Sequence, residues 1–134
     1  MSRRLARENA FKLIFEIPFY GFDRAIERVD FNFEINDDES LSETGKSYIR
    51  SVVKSCFDNI EAIDNKISNS LKNWKIERLS KVDLAILRLS AAEILYLDDV
   101  PYKVSVNEAV EIAKKFGDDQ SPSFINGVLS KFDN

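Results

Sequence analysis

Apolar residues recur at intervals of three and four along nearly the whole chain, and no segment sustains the alternation with β-branched enrichment that marks a strand. An all-α fold follows, because only a helix brings positions i, i+3, i+4 and i+7 to one face. Ala6, Ala10, Leu13, Ile14 and Ile17 form the first stripe, with Ser2 as its cap and Pro18 as its stop. Phe22, Ala25, Ile26 and Val29 begin a second, shorter helix after Gly21. Ile49, Val52, Val53, Cys56, Phe57 and Ile60 define a third. Ile60, Ile63, Ile67 and Leu71 carry the pattern into a fourth, with no residue that fixes the break between the two.

The second half is more sharply punctuated. Trp74, Ile76 and Leu79 make an apolar connection, then Ser80 opens a long helix whose Leu84, Leu87, Ala91, Ile94 and Leu95 face a core until Pro101 forbids continuation. Ser105-Val-Asn-Glu108 has the form of a capping box, which predicts a helix starting there. That helix buries Ala109, Val110, Ala113 and Phe116 and ends on Gly117 as a left-handed residue. Ser121 and Pro122 supply the cap and first-turn proline of a last helix with Phe124, Ile125, Val128, Leu129 and Phe132 as its stripe. Asn126 and Gly127 are weak helix formers within it, and the small residue points first to close helix packing. Seven helices are expected.

Chemistry is constrained by what is missing. With no histidine and a single cysteine, Cys56, the chain cannot assemble a Ser-His-Asp triad, a Cys-His dyad, a disulfide framework or a zinc site of the usual ligand type. Cys56 sits in an apolar stripe and reads as core filler. The four glycines are too scattered to cradle a nucleotide phosphate. Asp98-Asp99 and Asp118-Asp119 stand where helices end, the usual place for short acidic residues that satisfy their own backbone. The apolar run Val82–Leu97 is broken by Asp83, Arg88 and Glu93, which excludes a membrane span there. No signal-peptide pattern opens the chain, so a cytoplasmic protein without metal or cofactor is expected.

Nineteen basic and 23 acidic residues leave a net charge of −4, mildly unfavourable for nucleic-acid binding. Its distribution is uneven. Arg3, Arg4, Arg7 and Lys12 face Glu8 alone in the first fifteen residues, whereas Asp30, Glu34, Asp37, Asp38, Glu39 and Glu43 lie in a stretch without Lys or Arg, which reads as a solvated, mobile connection. On a helical wheel Arg4, Arg7, Phe11 and Phe15 share a stripe, so guanidinium groups can pair with phosphate while rings stack on unpaired bases. The alternative is that both phenylalanines pack on a neighbouring helix while the arginines are solvated charges at the helix start, and the stripe alone favours it.

Several ordered motifs carry a resemblance. Arg3-Arg4-x-Ala6-Arg7-Glu8, Asp83-x-x-x-Leu87-Arg88-Leu89 with Glu93, Asp99-Val-Pro-Tyr102-Lys-Val, Asn107-Glu-Ala-Val-Glu-Ile-Ala-Lys114, Phe116-Gly117 and Phe124-Ile-Asn-Gly-Val-Leu129 together resemble the NusB family of bacterial transcription antitermination factors. The resemblance implies a non-enzymatic fold of two packed helical sub-bundles, about 1–72 and about 73–134. It implies binding of the boxA segment of nascent RNA together with the ribosomal protein NusE, in a complex on RNA polymerase that supports ribosomal RNA transcription. It places Arg3, Arg4, Arg7, Tyr102, Lys103 and Phe124 near RNA, and Phe15 and Asp83 on the protein-partner side, which takes Phe15 out of the stacking reading.

Leu5 stands where the family often extends its arginine cluster, and Gln120 where an acidic residue is frequent. A NusB-like domain also begins some ribosomal-RNA cytosine methyltransferases, but no catalytic domain or cysteine motif follows here and methyl transfer is not expected. The competing function is a purely protein-binding helical adaptor that uses the acidic surface and never touches RNA.

Overall fold

The computed structural model describes residues 3–35, 41–72 and 75–132, and among these it contains seven α-helices and no strand. They are α1 (Arg3–Glu16), α2 (Ala25–Ile35), α3 (Glu43–Asp58), α4 (Ile60–Asn69), α5 (Lys81–Tyr96), α6 (Tyr102–Phe116) and α7 (Ser121–Leu129). The expected Ser2 cap, Trp74, and Asp37, Asp38 and Glu39 of the acidic stretch lie outside the described residues. Pro18 does not simply stop the first helix: the chain tightens into a 3-10 turn over Ile17–Phe19, where a proline in the first positions loses no hydrogen bond. The open break between the third and fourth helices falls at Asn59.

The helix opened by Ser80 organises the molecule. Its serine Oγ accepts from the Asp83 backbone N–H at 3.0 Å, as the sequence predicts. α1, α3, α4, α6 and α7 all pack on α5, so it buries Ala85, Ile86, Leu87, Leu89, Ser90, Ala91, Ala92 and Glu93 around most of its circumference. A one-sided stripe was too simple a picture, since Leu84 and Ile94 are only half-buried and Leu95 is exposed. The other stripes hold in most positions: Ala6, Ala10, Leu13, Ile14, Ile17, Val52, Val53, Cys56, Ile63, Ile67, Ile125 and Leu129 are all buried, but Phe22 is exposed in a 3-10 turn ahead of α2, and Ile26, Ile60, Leu71, Val110, Phe116 and Phe124 are only half-buried. Burial pushes the Cys56 thiol up to about 12, which leaves no thiolate for chemistry.

Four local expectations are overturned. Ser105 does not cap a helix, because α6 starts a turn earlier, behind Pro101, and Ser105 lies inside it, buried and turned toward α5. Gly117 is extended (φ −89°, ψ −171°) rather than left-handed; its need is space, since a Cβ there would come within 2.6 Å of the Ser121 side chain and 2.9 Å of the Ala113 carbonyl oxygen. Gly127 is the reverse case: it is exposed, and nothing lies within 4 Å of where its Cβ would be, so it serves no close packing. The acidic stretch is not a uniform solvated link, because Asp30 and Glu34 belong to α2, Asp30 pairs with Arg50 of α3, and Glu43 follows the Ser42 cap of α3.

At the last helix the cap shifts by one residue. Gln120 stands at the N-cap, while the Asp118 carboxylate accepts from the backbone N–H groups of Gln120 (2.9 Å) and Ser121 (3.0 Å). Asp118 therefore satisfies its local backbone, as its loop position suggested.

Candidate nucleic-acid interface

The first turns of α1 set an arginine on each side of the core boundary. Ala6 and Ala10 fix the inward face, and Arg7, one residue on from Ala6, falls beside it at 5% exposure. Glu93 sits between Ala92 and Ile94 on α5 at 2% exposure. The two meet: Arg7 Nε donates to Glu93 Oε2 at 2.8 Å, Ser105 Oγ donates to Oε1 at 2.8 Å, and the Tyr48 hydroxyl donates to Oε2. One carboxylate thus joins α1, α3, α5 and α6. A buried ion pair is tolerable only when its remaining lone pairs find donors, and here two hydroxyls supply them. Burial alone would pull the Arg7 guanidinium down, but the hydrogen bond and charge of Glu93 hold it above its ordinary value. Burial, followed by the charge of Glu93, pushes the Tyr48 phenol up, so it stays a donor.

The network continues outward through Glu108 of α6. Arg4 Nε and Nη2 donate to its two oxygens at 3.0 and 2.7 Å, and Arg7 Nη1 lies 3.7 Å from Oε1. The Arg4 hydrogen bond keeps the Glu108 carboxyl below its usual range against the opposing effect of burial. Arg4 nevertheless remains exposed, at the edge of a groove lined by Asn107, Glu111 and Lys114 of α6 and by Pro122, Ser123 and Asn126 of α7. Arg3 is held differently, with its guanidinium carbon over the Tyr48 ring, 4.7 Å from its centre.

Of the other residues expected near RNA, Lys103 is exposed on the first turn of α6. Tyr102 is half-buried and its hydroxyl donates to the Leu129 carbonyl at 2.7 Å, tying the start of α6 to the end of α7. Phe124 is half-buried between two clefts, one with Lys72, Ser123 and Lys131, the other with Arg78, Asp83 and Asp118. Arg7 is the residue whose placement departs most from the expectation. It is a buried ion-pair partner, while Arg4 and Lys103 are exposed and Arg3 is half-buried.

The far end of α1 is aromatic. Phe11 is buried against Phe116 with ring centres 5.1 Å apart, which decides for packing over base stacking at that position. Phe15 is half-buried and lines a small pocket with Pro18, Phe19, Lys81, Leu84 and Arg88. Asp83 shares the first turn of α5 with Lys81 but opens into the other cleft, toward Phe124, so the structure does not bring Phe15 and Asp83 into one pocket. The buried Oδ1 of Asp83 has no hydrogen-bond partner among the described residues.

Sequence reasoning missed Tyr48, Glu93 and Glu108 as the groups that hold the arginines. One signal was available: a glutamate inside the apolar run Ala91-Ala92-Glu93-Ile94 must find buried donors. Among the described residues, no cluster of three or more His, Cys, Asp or Glu side chains is placed to hold a metal ion, and no helix is long and apolar enough to cross a membrane.

Among the described residues the structure is helical, with a cationic edge at one end of α1 and an aromatic surface at the other. Comparison with known proteins gives the family: the NusB family model matches residues 4–134, and the chain belongs to the NusB family, whose members are transcription antitermination factors and not enzymes. It is 46% identical to the transcription antitermination protein NusB of Alkaliphilus oremlandii, covering 98% of this chain and 93% of that protein. It is likewise 46% identical to the NusB protein of Natranaerobius thermophilus, over 100% of this chain and 96% of that one. Among solved structures, NusB of T. maritima superposes with a TM-score of 0.85 at 34% identity, covering 98% of this chain and 89% of that one. A crystal structure of the antitermination factors NusB and NusE in complex with double-stranded RNA matches with a TM-score of 0.84 at 28% identity, covering 96% and 93%.

Proposed function

We propose that this protein binds single-stranded RNA of the boxA type together with the ribosomal protein NusE, and joins the antitermination complex on RNA polymerase in the cytoplasm to support ribosomal RNA transcription. The observation that carries the reading is the start of α1, where Arg3 and Arg4 are held at the surface by internal partners and keep N–H donors free for phosphate. Lys103 adds a further cation, and Tyr102 and Phe124 offer aromatic faces for bases. Arg7 takes an indirect part as the internal anchor of that edge. Phe15 and Asp83 serve the protein partner. The family relationship and the solved complex of NusB and NusE with double-stranded RNA support the pairing of NusE with RNA.

So small a cationic surface makes few phosphate contacts, so affinity for RNA alone is modest and rises when NusE is bound; linkage makes the effect reciprocal. A titration of labelled boxA-like RNA, with and without saturating NusE, tests this. Equal affinity in the two arms counts decisively against it. The protein-only adaptor keeps one observation in its favour, the exposed Phe19, Tyr20, Phe22 and Phe31, and no RNA binding in either arm would establish it.

A further inference from the structure

We infer that Tyr48 is a positioning residue for Arg3, its ring forming the platform from which Arg3 is presented to RNA, so that the RNA site extends from α1 onto α3. This rests on the proposed RNA reading and deepens it. The three arginines of α1 are held by three different devices. Arg7 is enclosed by Glu93, and Arg4 has two of its donor nitrogens engaged by Glu108. Arg3 makes no salt bridge among the described residues and is held by the face of Tyr48. A guanidinium held over a ring, with no carboxylate engaging its nitrogens among the described residues, keeps N–H groups with which an arginine can grip a phosphate through two parallel hydrogen bonds.

The platform is rigid for a reason that lies in the interior. Tyr48 is only 5% exposed, and its hydroxyl is tied to Glu93, which Arg7 and Ser105 hold in turn. A flexible arginine is thereby restrained before its ligand arrives, which lowers the ordering cost of binding. The surroundings fit a sugar-phosphate chain. Arg3 and Tyr48 open on a groove of about 430 Å³ whose α3 wall carries Thr44, Ser47 and Ser51, spaced by three and four so that their hydroxyls share one face. Glu43 and Asp99 also line this groove and repel phosphate, so the gripping point is Arg3 itself.

The test is a set of boxA-like RNA titrations in the presence of NusE, with melting curves on every variant. Arg3→Ala and Tyr48→Leu are each expected to weaken binding roughly threefold to tenfold. The double variant should be no weaker than the worse single one, since each change removes the same presented group. Tyr48→Phe keeps the ring but loses the hydroxyl tie to Glu93, so it should melt lower and bind RNA better than Tyr48→Leu but more weakly than the unaltered protein. Arg3→Lys, at a surface position, retains the charge but not the planar stack and should lose several-fold in affinity. Additive losses in the double variant, or Arg3→Lys binding as well as the unaltered protein, would overturn the platform while leaving the RNA reading intact. An Arg3→Ala variant with undiminished affinity would instead remove Arg3 from the RNA reading and the platform with it.

Discussion

The two ends of α1 handle exposure in opposite ways. At its start, cations that a sequence reading sends to solvent are held from inside: Arg7 is buried on Glu93, Arg4 is clasped by Glu108, and Arg3 lies on Tyr48. Past its end, large aromatic residues are left outside. Phe19 is 62% exposed with Lys81 Nζ 5.4 Å from its ring centre, and Tyr20 is 51% exposed beneath Arg28 at 3.8 Å. Residue type therefore does not decide which side a group faces. What decides is whether the chain itself supplies a partner that can accept it, a carboxylate for a guanidinium or a cation for a ring face. One end is rigid and charged, suited to a polyanion; the other is broad and apolar, suited to a protein.

The sharpest way to break this contrast is Glu93→Ala. It leaves the buried Arg7 with only the more distant Glu108 as a counter-charge and the Tyr48 and Ser105 hydroxyls without an acceptor, so stability should fall by about 3–5 kcal/mol in denaturant unfolding. A loss below about 1 kcal/mol would show that the network does not hold the four helices together. Ser105→Ala removes one neutral donor from the same carboxylate and should cost about 1–3 kcal/mol. Its effect should be strongly non-additive with Glu93→Gln; an additive pair would restore the capping role that the structure denies to Ser105.

A smaller effect appears in the acid limb of stability. Arg4 lowers the Glu108 pKa in the folded state, so this group contributes stability that is present above its unfolded pKa and lost as pH falls through the folded one. Glu108→Gln should therefore make stability less steep in acid, and an unchanged slope between neutral and acid pH would argue against a persistent Arg4–Glu108 pair. The smallest change belongs to the aromatic end: Phe19→Ser touches no buried network and should alter stability by no more than about 0.5 kcal/mol.

Much of the fold was legible because each helix carries its own stripe and most carry a polar or proline boundary, as at Ser80 and Pro101. Ser105 misled because the spacing Ser-x-x-Glu describes a cap only if the helix begins there; in this chain both residues turn to partners on other helices, Glu93 and Arg4. Gly117 misled because a glycine after a helix commonly relieves backbone strain, whereas here it admits the side chain of Ser121. At the candidate site the arginines could be listed from the sequence, but not sorted. Arg7 and Glu93 stand 86 residues apart, and only the packing of α1 on α5 makes one the answer to the other. The exposure of Phe19 and Tyr20 was equally hidden, since they follow Pro18 in and just after a 3-10 turn, outside every helical stripe.

The division of labour along α1 is the central claim, and binding of boxA-like RNA by Arg3→Ala/Arg4→Ala, measured across a salt series beside Phe19→Ser, tests it most directly. The arginine variant should melt close to the unaltered protein, lose RNA affinity and show a salt slope smaller in magnitude by about 0.7 for each phosphate contact removed, while still binding NusE. Phe19→Ser should keep the RNA salt slope and weaken NusE. A folded arginine variant that binds RNA with unaltered affinity and slope would contradict the account and leave α1 as a protein-binding helix at both ends.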